Sequence, residues 1–474
     1  MISPEKNHIG HNVETIHLIA VCGTAMGALA CMLKDSGYRV TGSDNNVYPP
    51  MSRFLKEKGI SITKGFDAAH LAHRPDLVVV GNAVTKDNAE VIATAKMGLA
   101  YCSMPQAVNR FAAAGKHQIL VAGTHGKTTT SAIIAWILFY ARRDPSFIIG
   151  GILSNFNSNY RTGIGDCIVI EADEYDTAFF DKGPKFLHYT PDAAILTSVE
   201  FDHADIYRDL DHVRSAFKKM VRSIPSASLL VSVDDDPNVR DLLVKASCHR
   251  VTYGRRKDSD WRLGDVTIEP PRTRFKIFKG SEDFGTFRTQ MIGLHNLKNT
   301  LAAVAVADHL GVTRDQIEAA LTRFTGIRRR QEIRGEKNGI IVMDDFAHHP
   351  TAVKETLMAV KSHFFGSRIV AVFEPRTNSS MRKVFQNDYA TVFDPADRVC
   401  IRKPSMLAKV PEKERFSSEQ LVADLKKRGK SAKHFGDTDA IIDDLVHSSK
   451  DGDVILVMSN GGFDNIHERL LAAL

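Results

Sequence analysis

The segment that most constrains the fold is Ala122-Gly-Thr-His-Gly-Lys-Thr-Thr-Thr130. An apolar run, Gln118-Ile-Leu-Val-Ala122, leads into it, and a longer apolar stretch, Ser131 to Tyr140, leads out. This order predicts strand, loop and helix, the opening of an α/β unit. Glycines in such a loop let backbone N–H groups turn toward phosphate oxygens, and the helix N-terminus adds its dipole. Lys127 can reach the β- and γ-phosphates of a nucleotide, and the Thr128 hydroxyl can coordinate Mg²⁺. The spacing departs from GxxxxGK[ST], because Val121 stands five residues before Gly126 and Gly123 three before it. The bland alternative is a plain junction with a chance Gly-Lys-Thr. The flanking strand, the helix and the run of threonines weigh against it.

Strand and helix signals alternate along all 474 residues, with no internal repeat and no low-complexity tract. This predicts α/β layers with mainly parallel sheets. At about 150 residues per domain the chain divides into three. The expected blocks are a Rossmann-like domain over 1–113, a central P-loop domain with a mixed sheet over 114–325, and a second Rossmann-like domain over 326–474. The first has strands at His17–Val21, Arg39–Ser43 and Asp76–Val80, a tight turn from Gly23 to Gly27, and a helix from Met26 to Asp35. In the second, Trp261 to Gly293 reads as consecutive strands, and helices follow from Asn296 and Thr313. The third has strands at Ile340–Met343, Arg368–Phe373, Arg398–Ile401 and Asp453–Met458.

Composition narrows the function classes. The chain is 43% hydrophobic and 25% charged, ordinary for a globular protein and unlike a disordered one. No apolar run approaches the ~20 residues that span a bilayer, and the N-terminus lacks a signal-peptide pattern. A cytoplasmic protein is expected. The six cysteines form no CxxC pair, which favours buried reduced thiols over zinc or redox chemistry. The net charge of +6 is spread along the chain, so no nucleic-acid face is expected.

Two acidic clusters follow strands in the central block. Cys167-Ile-Val-Ile170 runs into Glu171-Ala-Asp-Glu-Tyr-Asp176, and Ala194-Ile-Leu-Thr runs on to Glu200-Phe-Asp-His203. Carboxylates at the carboxyl ends of parallel strands lie where ligands bind in open α/β sheets. Glu171 is the first candidate for Mg²⁺. Asp173 and Glu174 have an alternative as caps of a following helix. His203 is either a metal or substrate contact or a capping histidine. Further on, Asn296 and Asn299 share a helix face and can hold a purine edge or a phosphate, with N-capping as the plainer role of Asn296.

Taken together and in order, these residues resemble the Mur ligase family, ATP-dependent enzymes that join an amino acid or peptide to a UDP-linked muramic acid. The matching elements are Gly123 to Thr129, Glu171 to Glu174, Glu200 to His203, His295-Asn296 with Asn299, Arg330 with Glu332, and Asp345-Phe-Ala-His-His-Pro350. Ser43 to Pro50, Glu174 to Lys182, Glu374-Pro-Arg-Thr-Asn378 and Met458 to Phe463 look like one branch of it. That branch attaches the recycled tripeptide L-alanyl-γ-D-glutamyl-meso-diaminopimelate to UDP-N-acetylmuramate. A close branch attaches free L-alanine instead.

The resemblance implies a role for each matching position. Gly123, Thr124, His125, Gly126, Lys127, Thr128 and Thr129 would hold the ATP phosphates, with Lys127 on the γ-phosphate. Thr128 and Glu171 would hold one Mg²⁺, and His203 would support a second. His295, Asn296 and Asn299 would contact the adenine side. Arg330 and Asp345 would close over the nucleotide, with His348 beside them. Gly23, Thr24, Met26, Asp44 and Asn82 would bind the UDP-sugar. Arg376 and Asn378 would meet the peptide, a guanidinium fork suiting a carboxylate. His203 or His348 could serve as general base toward the amine. Two departures stand out. Ala20, Cys22 and Ala25 occupy places where the L-alanine branch usually has glycine, and Phe217 stands where several members carry a carbamylated lysine. A non-catalytic nucleotide switch would leave Glu171, His203 and Arg376 without a joint purpose. A folate-type ligase lacks the UDP-sugar domain, to which the strand-turn-helix at 16–36 points.

Overall fold

A computed structural model describes residues 2–47, 51–405 and 407–474, so Tyr48 to Pro50 of the segment read above lie outside the described residues. The first sheet has five parallel strands in the order Ser61–Lys64, Arg39–Asp44, Thr15–Ile19, Leu77–Val80 and Tyr101–Ser103. The strand order reverses at Thr15–Ile19, which puts the loop after that strand at the switch point. That loop begins earlier than the sequence suggests. The Ala20 and Val21 amides both donate to the Ser43 carbonyl, and Ala20 turns through φ 66°. The helix therefore starts at Thr24, with Gly27 inside it. The strand Ser61–Lys64 carries no apolar signal, because it forms the sheet edge and is mostly exposed.

The central sheet has ten strands. Its parallel middle runs His249–Gly254, Leu229–Val233, Ala193–Leu196, His117–Ala122, Cys167–Glu171 and Ser146–Leu153. Trp261–Glu269, Arg272–Lys279 and Glu282–Thr289 extend one side as an antiparallel meander, the consecutive strands expected from the sequence. The helix Lys127–Tyr140 packs on Leu294–His309, whose buried Ala302, Ala303, Ala305 and Ala307 allow a close approach. The third sheet has six strands in the order Glu332–Lys337, Ile340–Asp345, Val454–Met458, Ile369–Phe373, Arg398–Arg402 and Ser431–Phe435. All its pairs are parallel except the first.

One apolar core runs continuously through the first and central units, from Ile16 and Leu29 to Val304 and Phe324. The third unit has its own cores on the two faces of its sheet. No helix among the described residues is long and apolar enough to cross a membrane.

A buried carboxylate braces the first sheet. Glu90 is fully buried in the first turn of the helix Ala89–Lys96. It accepts from the Ser43 hydroxyl at 2.5 Å and pairs with His70 Nδ1 at 2.6 Å, and His17 Nε2 lies 3.4 Å away. Burial pushes its carboxyl up, but His17, Ser43 and His70 outweigh burial and hold it below the usual carboxylate range. A carboxyl titrating below its unfolded value, about 4.3, stabilises fully above that value and less as pH falls through the folded one. Thermal unfolding of Glu90→Gln at neutral pH should show a loss of about 2 kcal/mol. The gap to the parent should narrow below about pH 4. An equal gap at neutral and acidic pH would show that the carboxylate charge is not what stabilises.

Candidate active site

The phosphate-type loop is held open by neighbours on both sides. Gly123 and Gly126 take φ 131° and 78°. A Cβ on Gly123 would stand 2.1 Å from Thr197 Oγ1, and one on Gly126 2.4 Å from Asn299 Oδ1, so both positions need glycine. The Thr197 hydroxyl donates to the His125 carbonyl, and the His125 amide donates to the Ser198 hydroxyl at 2.9 Å. The Thr124 amide donates to the Ser198 carbonyl at 3.0 Å, and its hydroxyl accepts from the Glu200 amide at 2.9 Å. The second acidic strand end thus grips the loop. Thr128 and Thr129 lie buried in the first turn of the helix, where the amides have no intrahelical acceptor.

Lys127 reaches back over its own loop. Its ammonium donates to the Gly123 carbonyl at 2.5 Å, the Thr124 carbonyl at 3.2 Å and Glu174 Oε2 at 2.9 Å. Glu174 Oε1 lies 3.0 Å from His203 Nε2. The reading of Glu174 as a helix cap is corrected here. No helix follows it directly; the chain enters a hairpin, Asp176–Ala178 with Asp181–Pro184, and Glu174 is 2% exposed. Burial pushes its carboxyl up, yet Lys127 and His203 outweigh burial and hold it at about 2. Burial also works against protonation of Lys127 and of His203, but Glu174 outweighs it and shifts both up. The Tyr175 ring lies 4.1 Å from that of His203, and the Tyr207 hydroxyl donates to the Glu174 carbonyl at 2.6 Å. Nothing in the periodicity marked those two tyrosines.

Glu171 sits beside this cluster. Its Oε1 accepts from the Thr128 hydroxyl at 2.9 Å and its Oε2 from the Gly150 amide at 2.6 Å. The third unit faces them. Arg330 Nη2 donates to Thr128 Oγ1 at 3.5 Å, and its guanidinium lies 4.8 Å from the Phe346 ring centroid. Asp345 is buried and accepts from the Gln331 amide at 2.8 Å and the Ala347 amide at 2.7 Å. Burial raises its carboxyl. The His348 Nδ1–H donates to the Phe346 carbonyl at 3.0 Å, and its Nε2 lies 3.8 Å from Asp202. Burial raises the Asp202 carboxyl, but His348 and His203 outweigh it and take it well below the usual range.

Asn296 does not cap a helix, which is a second correction. The helix begins at Leu294 after Gly293, so Asn296 lies within its first turn. Its amide donates to the Ile292 carbonyl and to Gln331 Oε1, both at 2.9 Å. Gln331 therefore joins the helix to the third unit, a link that sequence reasoning missed although it adjoins Arg330. Asn299 lies against Gly126. Burial, then Lys298 and Arg330, lower His295 to about 4, so it is neutral.

The remaining predicted residues lie elsewhere. Gly23 precedes the helix at the first sheet's switch point, the Thr24 carbonyl accepts from Asn159 Nδ2 at 3.1 Å, and Met26 is buried. Asp44 is buried and accepts from the Cys22 and Asn46 amides at 2.9 and 2.8 Å. Asn82 is exposed after the strand Leu77–Val80. Arg376 is a third exposed, with Nη1 3.7 Å from Glu374. Asn378 donates to Asp205 Oδ2 at 2.9 Å across to the central unit. Phe217 is core, against Phe186, while Lys218 and Lys219 are exposed.

A cavity of about 710 Å³ unites the loop, Glu171, His203, Asn296, Arg330 and Asp345. Its lining carries eight carboxylates (Glu171, Asp173, Glu200, Asp202, Asp235, Asp236, Asp345, Glu355) against three permanent cations (Lys127, Lys298, Arg330). A triphosphate meets net repulsion there unless further cations accompany it.

Comparison with known proteins follows the same three units. Residues 15–116 match the Mur ligase family catalytic domain, 121–307 the Mur ligase middle domain, and 329–461 the Mur ligase glutamate ligase domain. The chain is 40% identical over 460 residues to the UDP-N-acetylmuramate–L-alanyl-gamma-D-glutamyl-meso-2,6-diaminoheptandioate ligase of Escherichia coli strain K12, covering 97% of this chain and 98% of the relative. A murein peptide ligase from Psychrobacter arcticus superposes with a TM-score of 0.72 at 37% identity, over 97% of this chain and 98% of that one. A UDP-N-acetylmuramate-alanine ligase from Thermotoga maritima superposes with a TM-score of 0.79 at 26% identity over the same shares. With every unit matched and 40% identity sustained along the chain, this protein belongs to the Mur ligase family.

Proposed function

We propose that the chain joins the tripeptide L-Ala-γ-D-Glu-meso-diaminopimelate to UDP-N-acetylmuramate, cleaving ATP to ADP and phosphate, in the recycling of murein. The observation that carries this reading is the cluster at the glycine loop, in which Lys127 pairs with Glu174, Glu174 with His203, and Arg330 reaches Thr128 across the seam. The identity with the tripeptide ligase of Escherichia coli selects the substrates. ATP as co-substrate fits a reaction in the cytoplasm.

The first unit, about residues 1–113, would hold the UDP-sugar at its switch-point loop, around Gly23, Thr24, Met26 and Asp44, with Asn82 at the adjoining strand end. The central unit, 114–325, would hold ATP, with phosphates on the Gly123–Thr129 loop and the base toward His295, Asn296 and Asn299. The third, 326–474, would bring Arg330, Asp345 and His348 over the nucleotide and Arg376 and Asn378 to the peptide. Thr128 and Glu171 suit Mg²⁺. Both offer oxygen, and their 2.9 Å separation equals the edge of an octahedron with bonds of about 2.0–2.1 Å. His203 would stand at a second ion. The metal supplies positive charge that offsets the repulsion between triphosphate, substrate carboxylate and cleft.

In the first step a lactyl carboxylate oxygen bonds to the γ-phosphorus as the bond to the ADP oxygen breaks. Lys127 donates to the transferring phosphoryl group and Arg330 adds charge on its open side. In the second, the peptide amine attacks the acyl carbon of the acyl phosphate. The tetrahedral intermediate collapses with phosphate leaving, and a base takes the amine proton. His203, bonded to Glu174, and His348, bonded to Phe346 and facing Asp202, are the two candidates for that base. A closed seam would keep water from the acyl phosphate.

The L-alanine ligase is the second reading, favoured by the higher TM-score to the Thermotoga enzyme. Phosphate release from ATP, Mg²⁺ and UDP-N-acetylmuramate should occur with the tripeptide and give a product of the summed mass less water. Release with free L-alanine alone would establish the second reading. Lys127→Ala should lower kcat by about 10²- to 10³-fold while UDP-N-acetylmuramate still binds. A fall of less than tenfold would remove Lys127 from the transfer step. If Arg376 anchors a peptide carboxylate, Arg376→Ala should raise KM for the tripeptide about 10- to 100-fold, leaving the KM values for ATP and the UDP-sugar in place. An unchanged peptide KM would assign that anchor to another side chain.

A further inference from the structure

Three side chains meet at the seam without a shared role in the reaction above. His125 comes from the phosphate loop, Glu200 from the loop after Ala193–Leu196, and His349 from the start of the helix Pro350–His363. Glu200 Oε2 stands 3.3 Å from His125 Nε2 and 3.6 Å from His349 Nδ1, and one ligand atom from each of the three residues lies within 4.8 Å of the others.

The hydrogen bonds of His349 define its tautomer. Its Nε2 faces the Phe201 carbonyl at 3.1 Å and must carry the hydrogen, because a carbonyl only accepts. Its Nδ1 is therefore a bare lone pair. That lone pair accepts from the Thr351 amide at 3.2 Å and also faces a carboxylate oxygen. The Thr351 hydroxyl donates to the same oxygen at 2.6 Å. Two electron-rich atoms thus face each other in a half-buried place, and a cation between them would relieve the repulsion.

We propose that His125, Glu200 and His349 form a binding site for a transition-metal cation of the zinc class, bridging the central and third units. Two imidazole nitrogens and one carboxylate oxygen form a zinc-type set, whereas Mg²⁺ prefers a shell made mainly of oxygen. With bonds of about 2.0–2.1 Å, tetrahedral ligands stand about 3.3–3.4 Å apart, close to the separations here and wider than the Thr128–Glu171 pair. The Phe201 carbonyl and the Thr351 hydroxyl already orient two of the ligands, as outer partners do in metal sites. On binding, His349 Nδ1 exchanges the Thr351 amide for the metal, and His125 ligates through the Nε2 lone pair of the tautomer that carries its hydrogen on Nδ1. The fourth position opens on the nucleotide cavity, which all three residues line. Because His349 belongs to the third unit, an occupied site clamps the closed arrangement and slows the opening that product release needs.

The test is a calorimetric titration of the metal-free full chain with Zn²⁺, in excess Mg²⁺ so that the oxygen site is filled. A parallel Co²⁺ titration reads coordination by its visible absorption. One equivalent of Zn²⁺ and four-coordinate Co²⁺ bands are expected. His349→Asn keeps a helix-capping side chain and removes the imidazole, and Glu200→Gln removes the charge. Each should weaken Zn²⁺ binding at least about tenfold and dim the Co²⁺ bands, with thermal melts showing folded protein. Zn²⁺ affinity unchanged in both variants, or no Zn²⁺ equivalent bound by the parent in excess Mg²⁺, would overturn the site. Neither titration uses UDP-sugar or peptide, so the outcome is separate from that of the ligase reading.

Discussion

The cleft depends on one buried ion pair, Lys127 with Glu174 at 2.9 Å. Each charge alone would cost several kcal/mol to bury, so neither is tolerable without the other. The carbonyls of Gly123 and Thr124 take further ammonium protons, and His203 takes the second carboxylate oxygen. These contacts hold the loop in shape. Under the proposed function, an incoming phosphate would replace Glu174 as the lysine's partner while Glu174 keeps His203. The cost of desolvating the lysine is already met in the folded chain, the sense in which such a site is preorganised.

The two seams of the molecule differ in chemistry. Between the first and central units the apolar core is unbroken, and the helix Thr24–Asp35 packs on the strands Ser146–Leu153 and Ser158–Arg161. Between the central and third units polar contacts recur: Arg330 to Thr128, Thr351 to Glu200, Asn378 to Asp205, and the Ala204 amide to the Ser379 hydroxyl. Polar interfaces of that kind open at lower cost than apolar ones. Under the proposed function, groups divided across the polar seam would come together on closure, which would also shed water from the site.

Much of this was legible along the chain. The apolar run into Gly123 and out of Lys127 placed the loop, and the two acidic strand ends lie beside it because neighbouring parallel strands end on one edge. The antiparallel meander was equally plain. The polar strands Glu332–Lys337 and Ser431–Phe435 were not, because each lies at a sheet edge and its pairing leaves little apolar pattern. Glu174 and Asn296 also misled. A carboxylate after a strand and an amide near a helix start look like caps until one knows which helix begins where.

The sequence by itself determined the order of α/β units, the glycine loop with its lysine and threonine, and the family, since local periodicity and short motifs carry that information. Only the tertiary structure decided which carboxylate partners Lys127, that Gln331 links Asn296 to the third unit, and that His125, Glu200 and His349 meet. These pairings join residues far apart in the chain. Each depends on how two strand ends or two domains are juxtaposed, and no spacing within one segment encodes that distance.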